Sequence, residues 1–159
     1  MTMQTHAQIY RRRHYGKEPR QGPAFCTECH AVRKTRRWSY QTGPLAEFPM
    51  EGATAMICPG CQALAEKHYE GEVRLSADWS PERWDMLLER IHNLAHYEVQ
   101  KNPLSRIGDV EKRPGQLCLM TTTGFLALAI GRAIHNAFKG KLEIHPAAGE
   151  AVTRLHWTA

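Results

Sequence analysis

Nowhere does this 159-residue sequence approach the roughly 18 consecutive apolar residues that span a bilayer, and its N-terminus, MTMQTHAQIYRRRHYG, lacks the apolar core of a signal peptide. These two absences give the expectation of a cytoplasmic protein with no membrane partner. Also missing are a glycine-rich phosphate loop, a nucleophile elbow and a cluster of acidic metal ligands. The nine histidines are scattered. His92 and His96 stand at i, i+4 but lack the Glu of a zincin motif. A non-enzymatic protein is therefore expected, with no small-molecule substrate. No internal repeat or low-complexity tract is evident.

Acidic residues are scarce in the first quarter. Residues 1 to 40 hold nine Lys and Arg against Glu18 and Glu28, a net charge of +7, while residues 41 to 159 hold twelve against fourteen, a net charge of −2. Basic character confined to one end fits a chain that meets a polyanion there.

What is present in that region is cysteine. Cys26 and Cys29 form one C-x-x-C pair, and Cys58 and Cys61, in CPGC, form a second. In a reducing compartment such pairs serve metal binding or catalysis rather than structural disulfides. A two-residue gap lets a turn present both sulfurs to one ion, so four thiolates in two pairs fit a single structural Zn²⁺. A redox role for CPGC and iron in the same sulfur site are the chemical alternatives. His30 and His68 lie close enough to the pairs in sequence to be candidate ligands, though with four sulfurs available the surface reading is preferred for each. Cys118, between Leu117 and Leu119, reads as a small buried thiol.

With the metal fixed by the first pair, HAVRKTRRW becomes the surface of a zinc module. Arg33, Lys34, Arg36 and Arg37 can neutralise phosphates, and Trp38 and Tyr40 can stack on unpaired bases. The run Arg11, Arg12 and Arg13 lies in a basic arm that would reinforce the same side.

The expected organisation is a flexible basic arm (1–24), a zinc-binding module (25–70) and an α+β domain (71–159). The module is too small to fold without a staple, and a treble-clef or ribbon-like form is expected for it. In the last segment EVRLSA alternates as a strand. A helix follows, with Ser80 at its N-cap, Pro81 at its first position and an apolar stripe of Trp84, Leu87, Leu88, Ile91, Leu94 and Ala95. RIGDVEK and QLCLMTTT flank RPG as a hairpin. A second helix places Phe125, Leu126, Ala129, Ile130, Ala133, Ile134, Ala137 and Phe138 on its apolar face, ending near Gly140. KLEIH and AVTRLHW make two more strands. Two one-sided helices and about five strands predict a ferredoxin-like antiparallel sheet with the helices on one face.

Taken together, FCTECHAVRKTRRW, CPGC, the strand beginning VRLS, the helix to NP, then RI, TTTG and LEIH…VTRLHW resemble the short bacterial relatives of the Nmd-three family of archaea and eukaryotes. Members of that family are zinc-binding adaptors of the large ribosomal subunit. The resemblance implies that Cys26, Cys29, Cys58 and Cys61 are zinc ligands and that the partner is the ribosome or ribosomal RNA; another structured RNA is the wider expectation, with the α+β domain fixing orientation or binding a protein partner. The long adaptors carry more C-x-x-C pairs, later domains and export signals that this chain lacks, so a role in nuclear export does not carry over. The leading expectation is a ribosome-associated or stress-response factor. The rival is a zinc-stabilised protein-interaction adaptor or regulator with no nucleic acid partner; a DNA-binding regulator and a redox enzyme rank below both.

Overall fold

The computed structural model describes residues 22–40, 52–145 and 152–159. These residues form three helices and two mixed sheets. The smaller sheet holds β1 (Ala24–Cys26), β2 (Val32–Arg33), β3 (Trp38–Ser39) and β4 (Thr54–Met56) in the order β3-β2-β1-β4. β1 pairs antiparallel with β2 and parallel with β4, which places Cys26 opposite Met56. A short helix, α1 (Pro59–Ala65), follows directly.

The larger sheet contains β5 (Gly71–Ser76), β6 (Ile107–Arg113), β7 (Gln116–Thr121), β8 (Lys141–His145) and β9 (Thr153–Thr158), in the order β6-β7-β5-β9-β8. Helices α2 (Pro81–Lys101) and α3 (Gly124–Phe138) share one core with it. The alternation of each strand decides which side chains enter that core: Val73 and Leu75, Leu117 and Leu119, and Leu155 and Trp157 all point to the helices.

Both long helices start where the sequence provides an acceptor for an orphan N–H. Ser80 accepts from Arg83 N and Thr123 accepts from Leu126 N. α2 buries Trp84, Leu87, Ile91 and Ala95 as expected. α3 is rotated from the expected face: Phe125 is 63% exposed, while Ala127 and Gly131 are buried. The cause is a close approach, since a Cβ on Gly131 would lie 2.3 Å from Leu155 Cδ2. α3 ends where Lys139 and Gly140 both take positive φ.

The expected wholly antiparallel sheet is replaced by a mixed one. β9, the second strand of the final hairpin, lies beside β5 and parallel to it, and pushes β8 to the edge. The reason lies in the side chains. Leu155 and Trp157 are buried and suit a central strand, whereas Lys141, Glu143 and His145 suit an edge that meets water. No helix among the described residues is long and apolar enough to cross a membrane.

Candidate metal centre

Cys26 ends β1 and is fully buried. The chain then reverses within four residues, because His30 adopts φ 63°, its N–H donates to Cys26 O at 3.1 Å, and Cys26 N donates to Ala31 O at 2.8 Å. This knuckle brings Cys29 back beside Cys26, whose Sγ accepts from Cys29 N at 3.5 Å. The second pair sits at the start of α1. Cys58 is its N-cap, Pro59 occupies the first position where no N–H is needed, and Cys61 follows in the first turn. Cys58 Sγ accepts from Cys61 N at 3.4 Å, and Cys26 Sγ accepts from Cys58 N at 3.2 Å. Backbone donors aimed at sulfur stabilise thiolates, the form in which cysteine binds metal.

All four Sγ atoms lie within 4.8 Å of one another, and no cysteine is in a disulfide. Cys29 Sγ and Cys58 Sγ are 3.7 Å apart. A tetrahedral ion with metal–sulfur bonds of about 2.3 Å demands sulfur separations of about 3.8 Å, so the pocket fits such an ion. Electrostatics point the same way. Burial pushes the Cys58 thiol up to about 12, and the neighbouring sulfurs add to that; burial likewise raises Cys61. Cys29 moves the other way, to about 7: burial opposes its ionisation but is outweighed by hydrogen bonds from the Ala31 backbone, Tyr40, Cys61 and Cys26. Protein groups alone favour the thiolate at Cys29 and oppose it at Cys58 and Cys61, an opposition that a bound cation would reverse.

Two residues distant in sequence complete the surroundings. Arg106 donates through Nη2 to Tyr40 Oη at 2.7 Å and through Nε to Pro103 O at 2.8 Å. Burial works against its charge, yet Tyr40, Cys29 and Cys61 raise its pKa on balance. A divalent ion with four thiolates carries a net charge of −2, which a nearby guanidinium offsets. The Arg106 loop is itself held by Thr122, whose hydroxyl accepts from Arg106 N at 2.8 Å and donates to Leu104 O. Leu104 packs on the cysteine core, and a Cβ on Gly60 would lie 2.7 Å from Pro103 O. The metal pocket thus forms part of the joint between the two sheets.

The basic residues divide. Lys34, Arg36 and Arg37 are exposed on the turn joining β2 to β3. Arg33 and Trp38, expected on the surface, are only 4% and 5% exposed. They pair across β2 and β3, the guanidinium stands 5.4 Å from the indole centroid, and Arg33 Nε donates to Gly22 O. Trp38 builds the small core, with Tyr40 at its edge, and Arg33 is buried against the Trp38 ring. Arg11, Arg12 and Arg13 lie outside the described residues. His30 and His68 are not part of the four-sulfur cluster, His92 and His96 are exposed on α2, and Cys118 is partly buried on the larger sheet, its thiol raised chiefly by burial.

Sequence reasoning read Tyr40 as a stacking group and singled out neither Arg106, Gly60 nor Thr122 for the site. TTTG was visible as a pattern, but nothing in it signals that its second threonine steers an arginine toward a sulfur cluster. No family model, no curated protein and no solved structure matches this chain.

Proposed function

We propose that this is a non-enzymatic zinc protein in which one structural Zn²⁺, held by Cys26, Cys29, Cys58 and Cys61, fixes a basic hairpin tip that binds structured RNA, with the ribosome as its setting. The observation that carries the metal reading is the pocket itself, four sulfurs within 4.8 Å of one another. Its all-sulfur donor set favours zinc, with iron the chemical alternative. Four protein ligands close the coordination sphere, which suits a structural ion and leaves no position for a reacting water. The knuckle, the β2–β3 hairpin and the helix that starts at the second cysteine pair support a treble-clef reading of the module.

The RNA reading draws support from the exposed Lys34, Arg36 and Arg37 on the β2–β3 turn, from the +7 charge of residues 1 to 40, and from the resemblance to the Nmd-three family. Arg33 and Trp38 are withdrawn from the interface. Their role is to stiffen the hairpin that presents the other three.

Metal analysis of purified protein and filter binding to ribosomal RNA across a salt series test both parts. One zinc per chain is expected. Replacing Arg36 and Arg37 together by Ala should flatten the log–log salt slope by about 1 to 1.5, the loss of two phosphate contacts on single-stranded RNA. An unchanged slope and affinity remove the tip from the interface. Recovery of a defined protein partner after nuclease treatment, with no RNA bound, would instead favour the protein-interaction adaptor.

A further inference from the structure

The helices cover one face of the larger sheet, and the opposite face carries a groove of about 430 Å³. Strand register arranges its floor in cross-strand rows. One row runs Glu143, His156, Arg74, Cys118, Glu111, and the next runs His145, Arg154, Glu72, Met120. At the centre, Glu72 is only 4% exposed and serves two guanidinium groups. Arg74 donates through Nε to Oε1, and Arg154 Nε lies 3.6 Å from Oε2. One buried carboxylate thus orients two arginines on neighbouring strands. His156 Nε2 lies 3.3 Å from Ser76 Oγ, and His145 pairs with Arg154 across β8 and β9.

The geometry points to a binding site for the phosphate monoester of a small, hydroxyl-bearing molecule, with Arg74, Arg154, His145 and His156 around the phosphate. Planar guanidinium forks suit a tetrahedral oxyanion, and imidazoles add N–H donors. The volume falls within the range of small-ligand pockets. Ser76, Gln116 and Glu111 line the remainder and can exchange hydrogen bonds with hydroxyl groups. A nucleic acid strand fits less well. Glu143 and Glu111, held by Lys141 and Arg113 at the two ends of the Arg74 row, offer a phosphate chain crossing the strands no donor, and among the described residues the lining has no Trp, Tyr or Phe ring on which a base could stack. This site goes beyond the zinc and RNA reading and does not rest on it.

Amide NMR titration of the metal-loaded full chain with inorganic phosphate, glycerol phosphate and glycerol tests the assignment. Expected are saturable shifts at Arg74, Arg154 and His156 with both phosphates, tighter binding of glycerol phosphate, and no response to glycerol. Arg74→Gln, at an exposed position and with Arg154 still beside Glu72, should weaken binding by about 10-fold or more. Arg154→Gln should do the same, while the Arg36→Ala, Arg37→Ala double variant, which targets RNA binding, should leave phosphate affinity unchanged. Shifts that do not saturate, shifts centred on the Lys34 to Arg37 turn, or undiminished affinity in Arg74→Gln would overturn the assignment. So would displacement of glycerol phosphate by a single-stranded RNA that binds the groove more tightly.

Discussion

At the scale of single residues, the four cysteines set opposite pH responses with and without metal. In the metal-free protein, burial raises Cys58 from its ordinary value of 9.0 to about 12. A group raised on folding contributes stability that is present below its unfolded value and lost as pH climbs through the folded one. Urea midpoints of metal-free protein should therefore fall between about pH 9 and pH 12. Bound metal inverts this, because it selects the thiolate and competes with protons. Metal-loaded protein should hold its midpoint in that alkaline window and release metal on acidification, which a colorimetric chelator detects. Tyr40 tests the surroundings of the ligands. Tyr40→Phe removes the acceptor of Arg106 Nη2 and the hydrogen bond to Cys29, so stability should fall by about 1 to 2 kcal/mol and metal affinity by about 10-fold in chelator competition. A variant with unaltered metal affinity would make Tyr40 a packing residue only.

Elements add what single contacts do not show. α2 and α3 are both capped by a hydroxyl residue, but the two caps differ in setting. The Ser80 cap is exposed, whereas Thr123 also meets Ser105 Oγ at 2.9 Å in the loop that leads to Arg106. Ser80→Ala should cost about 1 kcal/mol and Thr123→Ala about 2 kcal/mol in chemical denaturation, the difference reflecting the second hydroxyl left without its partner. Equal losses would mean that the Ser105 contact contributes nothing. α1 carries a tighter constraint. Gly60 rests on the Pro103–Leu104 backbone with no room for a Cβ, so Gly60→Ala should force α1 and that loop apart at a cost of about 1 to 3 kcal/mol. TTTG acquires a physical meaning at this scale. Thr121 fills the space beside Gly71, Thr122 holds the Arg106 loop, and Thr123 caps α3.

For the molecule as a whole, the two sheets differ in how far they can stand alone. Among the described residues, the larger one has a core reaching from Val73 to Trp157, while the buried cluster of the smaller is Ala24, Cys26, Ala31, Trp38 and Cys58. So small a cluster offsets chain entropy only narrowly by itself, and without the metal it is the first part of the fold to open. Chelation should therefore accelerate hydrogen exchange across β1 to β4 and α1, while β5, β7 and α3 keep their protection. Uniform loss of protection would show that the centre supports the whole chain. Replacing Cys58 and Cys61 by Ser should reproduce the chelated pattern.

What the sequence determined by itself was whatever depends on local spacing. Two C-x-x-C pairs announced the four-sulfur cluster, and the 3.6-residue and alternating apolar patterns placed α2, α3 and five strands. Ser80, Pro81 and Gly140 marked helix ends through backbone chemistry that acts within a few residues. Tertiary structure decided what depends on separation through space. Side-chain burial along the final hairpin put β9 inside and β8 at the edge, which made the sheet mixed. Packing at Gly131 turned Phe125 outward, and the pairing of β2 with β3 drew Arg33 and Trp38 into a core although their composition reads as surface. Arg106 meets Tyr40 only because the loop after α2 folds back onto the cysteine unit, and Glu72 gathers Arg74 and Arg154 only because β9 runs parallel beside β5. Such contacts join positions far apart in the chain, and no local pattern encodes them.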